Sequence, residues 1–196
     1  MPSNEPRVAL KPLNITCGST DCENGLHCFR RAKRLNSNNI AGACRVCGAD
    51  LVDWNRVHKH DLADASYIFV ALQNELIRHH FFHVEMDQRA INYARRKGRL
   101  RLREAVEQRI RNSVGSATPF RDGTQTPMKG NPIFYAQHAT ASCCRRCIEE
   151  WHAIQPGRNL MESEVTYLTD LAMLYLNQRL PQLTDLGERV PPIRRR

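Results

Sequence analysis

The sequence predicts an α+β fold that is mostly helical, with an irregular, cysteine-rich N-terminal module packed on a helical core. Three observations lead to this prediction. Apolar residues recur at helical spacing through much of residues 63–180, a short apolar run at 133–137 is typical of a strand, and residues 1–62 show no long helical period. A chain of 196 residues can bury a hydrophobic core of its own.

The helical segments follow from apolar spacing and from residues that end helices. Helices are predicted over residues 63–83, 86–113, 144–154 and 162–180. Within the second of these, Gly98 predicts a kink or a break between two shorter helices, and Pro181 ends the last. The stretch 114–132 is rich in Gly, Pro and Thr and too long for a simple connection, so we expect it to be functional or mobile.

These elements predict four parts of the chain. They are a cysteine-rich zinc-binding module (1–62), a helical region with a basic segment (63–113), a domain with a second cysteine and histidine cluster (114–180) and a basic tail (181–196).

Membrane insertion and secretion are disfavoured by the sequence. No apolar run approaches the roughly 18 residues of a membrane-spanning helix, and the first residues lack the apolar stretch of a signal peptide. We therefore expect a cytoplasmic protein whose thiols stay reduced. In that compartment, clustered cysteines bind metal more often than they form disulfides.

The positive charge is local. Of the formal net charge of +9, residues 86–112 contribute +6 and the tail Arg194–Arg196 contributes +3. The basic side chains that could line a phosphate backbone are Arg95, Arg96, Lys97, Arg99, Arg101 and Arg103. This segment predicts nucleic-acid binding, and the alternative is a solvated helix face that keeps the protein soluble.

Five of the eight cysteines lie near the N-terminus: Cys17, Cys22, Cys28, Cys44 and Cys47. Cys44 and Cys47 flank two residues and precede Gly48, which has the form of a zinc knuckle. Their partner pair is expected from the first three, so that four thiolates complete a tetrahedral zinc site. The alternatives are an iron–sulfur cluster and unliganded thiols.

The C-terminal set comprises Cys143, Cys144 and Cys147, with His138 and His152 as further candidate ligands. Cys144 and Cys147 are expected in the first turn of a helix, where amide groups and the helix dipole favour thiolates. Two pairings compete. Each set could form its own zinc site, which we favour, or Cys44 and Cys47 could join Cys144 and Cys147 in one treble-clef finger. One or two structural zinc ions are predicted.

The segment GNPIFYAQHATASCCRRCIEEWHAIQPGR also resembles the signature of a bacterial and phage domain family of unknown function, whose members carry a similar HPVF-AQHATATCCR-C-WHGI block. The resemblance covers roughly residues 119–180 and departs mildly at Asn131, Ser142 and Ala153. It implies that His138, Cys143, Cys144, Cys147 and His152 act together, and it implies no particular activity.

Histidines suggest a catalytic alternative. His58 or His60 could serve as a general base beside a metal held with His138, as in a zinc-containing nuclease of the HNH type. Glu75, His79 and His83 share one helix face and form a weaker candidate metal site. The leading prediction is a zinc-dependent nucleic-acid-binding protein. The alternatives are a metal-dependent nuclease or phosphodiesterase and a protein-binding adaptor.

Overall fold

The computed structural model describes residues 15–30, 42–120 and 122–191. These residues form seven α-helices: α1 (Trp54–Val57), α2 (Ala65–Leu72), α3 (Leu76–His83), α4 (Gln88–Val114), α5 (Pro132–Ala139), α6 (Arg145–His152) and α7 (Glu162–Arg179). The same residues contain isolated β-bridges but no β-strand, so the α+β part of the prediction is wrong and the mostly helical part is confirmed. No helix of the described chain is long and apolar enough to cross a membrane.

The core is built around α7, which is buried on nearly all sides and packs against both α4 and α5. Helix α4 contributes a buried stripe at every fourth position: Ala90, Ala94, Gly98, Leu102, Val106, Ile110 and Val114. Residues four apart lie about 40° from each other around the helix axis, so consecutive members of this stripe are neighbours on the helix surface. The core covers this stripe, so the charged residues of α4 lie on the other sides of the helix.

Gly98 interrupts α4, as the sequence predicted. Its backbone lies outside the helical region, at φ 68° and ψ 172°. The segment around residues 184–188 packs into this break, where the amides of Arg99 and Leu100 donate to the carbonyls of Thr184 and Asp185. Glycine is needed here because its φ is positive and its neighbours are close.

The predicted strand at 133–137 is wrong, since these residues lie in α5. The Asn131 side chain accepts a hydrogen bond from the Ile133 amide, and Pro132 occupies the first turn. Both features favour the start of a helix. This local start signal and burial against α3 outweigh the strand preference of the Ile-Phe-Tyr run.

The helix predicted over 63–83 is two helices, α2 and α3, because the N-terminal module docks between them. The His27 amide donates to the Asn74 carbonyl at 2.7 Å, and the Leu76 amide donates to the His27 carbonyl at 3.2 Å. The helix is therefore interrupted at residues 73–75, where the backbone forms hydrogen bonds with the N-terminal module instead of continuing the helical pattern.

Candidate metal centres

The first cluster of possible metal ligands is Cys22, His27, Cys44 and Cys47, whose ligand atoms all lie within 4.8 Å of one another. The Cys22 Sγ lies 3.8 Å from the Cys44 Sγ, and the Cys47 Sγ lies 3.3 Å from the His27 Nδ1. Four ligand atoms of these types form the donor set of a closed tetrahedral site.

Short turns bring the four ligands together. A turn from Cys22 is closed by Gly25 in the left-handed region, and an antiparallel bridge between Asp21 and Leu26 then returns the chain so that His27 lies beside Cys22. Cys44 and Cys47 form a tight turn in which the Gly48 amide donates to the Cys44 carbonyl at 2.8 Å.

The surroundings favour a thiolate at Cys44 but not at Cys22. Burial opposes ionisation of Cys44, yet the amides of Cys28, Cys47 and Val46 lower the pKa of this thiol to about 6. Burial and the neighbouring thiols of Cys47 and Cys44 raise the pKa of Cys22 to about 11. A bound cation would remove this conflict, since it stabilises all the thiolates together.

The second cluster is Cys17, Cys143 and Cys147, whose sulfurs lie within 4.8 Å of one another. Cys143 and Cys147 are buried, with sulfurs 3.6 Å apart, and Cys17 is half-buried. Cys144 lies beside them at the start of α6, where its Sγ accepts a hydrogen bond from the Cys147 amide at 3.4 Å. Contacts with the Cys143 and Cys147 thiols lower the pKa of Cys144 to about 3.

A buried ion pair adjoins the second cluster. Arg78, almost fully buried, donates to the Cys147 Sγ at 3.1 Å and to the His138 carbonyl at 2.6 Å. Its guanidinium lies 3.2 Å from Glu75, which is equally buried. Glu75 also accepts from the Phe29 amide and from the Trp151 indole. Burial raises the pKa of Glu75, and Arg78 opposes this shift.

His138 of α5 and Thr126 of the long 115–131 loop border the second cluster. The His138 Nε2 lies 2.9 Å from the Thr126 carbonyl, and the Thr126 hydroxyl donates to the Cys143 carbonyl at 3.0 Å. The His138 Nδ1 is buried and has no hydrogen-bond partner among the described residues. A carbonyl oxygen only accepts, so the Nε2 is the donor in this hydrogen bond, and the Nδ1 of the neutral tautomer with this arrangement carries a lone pair.

The structure brings together most of the predicted ligands, but not in the predicted sets. Cys44 and Cys47 do not share a cluster with Cys144 and Cys147, so the single treble-clef pairing is wrong. Two separate clusters are present, as we favoured, but Cys17 joins the C-terminal cysteines. His27 completes the first cluster and was missed, although a Cys-x4-His spacing before the knuckle could have suggested it.

Four predicted ligands lie outside both clusters. Cys144 and His138 border the second cluster, whereas Cys28 and His152 bond to other groups. Cys28 is a buried thiol that donates to the Cys17 carbonyl at 3.3 Å, and burial raises its pKa to about 12. His152 is buried, with its nitrogens 2.9 Å from the Thr140 carbonyl and 3.1 Å from the Tyr167 hydroxyl. Both nitrogens of His152 are thus occupied by protein groups.

The catalytic histidines are not assembled. His60 stacks on Tyr167 and bonds to the His152 carbonyl, while His58 packs against Trp54. These contacts, which lie among the described residues, do not include His138. The nuclease alternative thus gains no geometric support.

The weaker Glu75, His79 and His83 site is not formed either. Glu75 is directed into the core, whereas His79 and His83 stack on each other with ring centroids 4.1 Å apart.

Three of the six side chains predicted to bind phosphate form ion pairs with carboxylates. Arg95 pairs with Glu188, Arg99 with Asp185, and Arg103 with Asp170. The other three residues of the set, Arg96, Lys97 and Arg101, are exposed or half-buried. The arginines of the tail, Arg194–Arg196, lie outside the described residues.

Comparison with known proteins identifies the family of the helical part. A family model described as a domain of unknown function (DUF4186) matches residues 66–177, which is more than half of the chain. The chain belongs to the DUF4186 family. The resemblance noted in the sequence is thereby confirmed, and no solved structure matches this chain. The DUF4186 region contains Arg78, Cys143 and Cys147, whereas the first cluster and Cys17 precede it.

Proposed function

We propose that this protein is a zinc-binding protein with two zinc centres. The observation that carries the proposal is the first cluster, in which three cysteines and one histidine converge within 4.8 Å. Zinc is the usual metal of closed sites with three thiolates and one imidazole. Iron–sulfur clusters usually take four thiolates, so the histidine favours zinc.

The first centre would stabilise the N-terminal module. The residues that it joins have few helical or strand hydrogen bonds of their own, and a structural zinc ion can supply the folding free energy that such a module lacks. The second centre would bind zinc through Cys17, Cys143 and Cys147, with Cys144 as the nearest further thiol. It would also attach the segment that carries Cys17 to the DUF4186 domain.

Metal analysis of the purified full chain tests this proposal. We expect about two zinc ions per chain, and the loss of about one in each of the variants Cys47→Ser and Cys17→Ser. Cys28→Ala is the matched control, since it removes a buried cysteine that belongs to neither cluster. Less than one zinc per chain, or iron together with sulfide, would refute the proposal.

Nucleic-acid binding through the basic segment is a second proposal. It is supported by the exposure of Arg96 and Arg101 on α4, and it is weakened by the three ion pairs that occupy their neighbours. Binding to short DNA and RNA duplexes across a salt series tests it. We expect an affinity that falls as salt rises and a weaker affinity in Arg96→Gln/Arg101→Gln. A signal that does not depend on salt would contradict it.

A further inference from the structure

A cleft of about 410 Å³ extends from Arg109 on α4 to Cys143 and Cys144 beside the second cluster. Residues 122–127 of the long loop and the ring of Phe134 also line it. A smaller cavity of about 150 Å³ adjoins it and is lined by Thr126, His138 and the second cluster. The larger volume lies in the range of sites that bind small molecules.

The positively charged side chain of Arg109 lines this cleft. Its side chain is half-buried, its Nε donates to the Gln137 Oε1 at 3.2 Å, and its guanidinium lies 5.1 Å from the centroid of the Phe134 ring. Within residues 15–30, 42–120 and 122–191, no carboxylate pairs with Arg109 and no hydrogen bond involves its Nη nitrogens. A partly desolvated charge favours a partner, and the planar guanidinium fits a carboxylate or a phosphate.

Two acidic groups also line this cleft, the Asp122 carboxylate and the Cys144 thiol at the end next to the second cluster. Asp122 lines the cleft, but its Oδ1 accepts a hydrogen bond from the Arg145 amide at 3.3 Å, at the start of α6. A cleft of comparable size near Leu180 provides a contrast, because Arg95 there pairs with Glu188, and Arg179 donates to the carbonyls of Phe82 and Val84. Among the described residues, the Nη nitrogens of Arg109 have no such partner.

The inner cavity offers a second unsatisfied group. The His138 side chain lines this cavity, and its Nδ1 is fully buried without a partner among the described residues. Its lone pair can accept a hydrogen bond or coordinate a metal. Gln137, the preceding residue of the signature segment, holds the Nε of Arg109. Gln137, which holds Arg109 at the cleft, and His138, which lines the inner cavity, are therefore consecutive residues of α5.

We propose that this cleft binds a small organic anion, a carboxylate or a phosphate monoester with a planar apolar body. Arg109 binds the acid group through its Nη nitrogens, Phe134 packs on the apolar body, and the molecule extends toward the second cluster. The last part rests on the proposed zinc at that cluster, whereas the contact with Arg109 does not.

Calorimetric titration of the zinc-loaded full chain tests the proposal, with phenyl phosphate, benzoate and inorganic phosphate as probes. We expect saturable binding of phenyl phosphate or benzoate that is tighter than that of inorganic phosphate. Arg109→Met should weaken it about tenfold or more, because it removes charge-assisted hydrogen bonds. Arg109→Lys keeps the charge without the planar fork and should lie between. Arg89→Met, at an exposed position on the same helix, is the matched control and should bind like the wild type.

The outcomes separate this proposal from the zinc assignment. Absence of saturable binding by all three probes, or equal affinity of Arg109→Met and the wild type, would overturn the proposal. Tighter binding of benzoate would support a carboxylate ligand, and tighter binding of phenyl phosphate would support a phosphate monoester. Zinc content is measured on the same samples, so a low zinc content refutes the zinc proposal and leaves the contact with Arg109 testable.

Discussion

Replacement of Arg78 by Met is expected to destabilise the protein strongly. The side chains of Arg78 and Glu75 are each 1% exposed, and the pair is 3.2 Å apart. Without the guanidinium, the Glu75 carboxylate keeps hydrogen bonds from Phe29 and Trp151 but loses its counter-charge. Removal of one partner from a buried ion pair costs about 3–5 kcal/mol. That is a large part of a typical domain stability of about 5–15 kcal/mol.

The double variant Glu75→Gln/Arg78→Met separates lost charge from lost packing. Both charges are then absent, and the single carbonyl oxygen of Gln can keep one of the two hydrogen bonds from Phe29 and Trp151, so we expect recovery of about 2 kcal/mol relative to Arg78→Met. Recovery should be partial, because the donor to the Cys147 sulfur is missing in both variants.

Urea unfolding followed by circular dichroism measures these free energies. With a urea m-value of about 2 kcal/mol per molar, the midpoint of Arg78→Met should fall by roughly 2 M. The zinc content of each variant is measured in parallel. An Arg78→Met variant within about 1 kcal/mol of the wild type, or a double variant as unstable as the sum of the single ones, would refute the reasoning.

Three further predictions concern single positions. Burial lowers the pKa of His152 to about 3, whereas the unfolded chain binds this proton below the usual pKa of about 6.5. The stability that His152 contributes is therefore complete above about pH 6.5 and falls by about 1.4 kcal/mol per pH unit below it. His152→Gln should flatten this slope in urea titrations between about pH 6.5 and 5, and an equal slope in the variant would contradict the prediction. Ala153 ends α6 at φ 52°, so Ala153→Gly should raise the unfolding free energy by about 0.5–1 kcal/mol, and a loss of thermal stability would contradict the assigned strain. A side chain at Gly98 would collide with the backbone of Asp185 and Leu186. Gly98→Ala should therefore lower the free energy of unfolding in urea by about 2 kcal/mol or more and expose the segment around Asp185 and Leu186 to proteolysis. An unchanged urea midpoint would contradict the packing described.

The helical core was predictable because its signals are local. The break at Gly98 follows from one residue that tolerates a positive φ, and the buried stripe of α4 from its spacing. The prediction of a strand at 133–137 was wrong because β-propensity is weaker evidence than a helix N-cap such as Asn131. The division between α2 and α3 depends on His27, which is distant in sequence and docks there, so no local pattern shows it.

The candidate centres were only partly predictable for a related reason. Residue types indicated sites that could hold a metal ion, and the Cys44–Cys47 spacing indicated one pair of candidate ligands. Cys17 meets Cys143 and Cys147 only through the tertiary fold, so its spacing from the first cluster was misleading. Arg78 and Arg109 matter because of the groups that they meet in the folded protein, and an arginine in a helical sequence gives no such signal.

The hydrogen bonds of His27 have a consequence for metal loading. This ligand of the first cluster is fixed through its backbone to Asn74 and Leu76, which flank Glu75, and Glu75 in turn holds the arginine that contacts Cys147. A short series of buried and half-buried contacts thus connects one cluster to the other. Occupancy of one should therefore change the affinity of the other, and by thermodynamic reciprocity the change must be equal in both directions. The two centres would then fill and empty as a coupled pair.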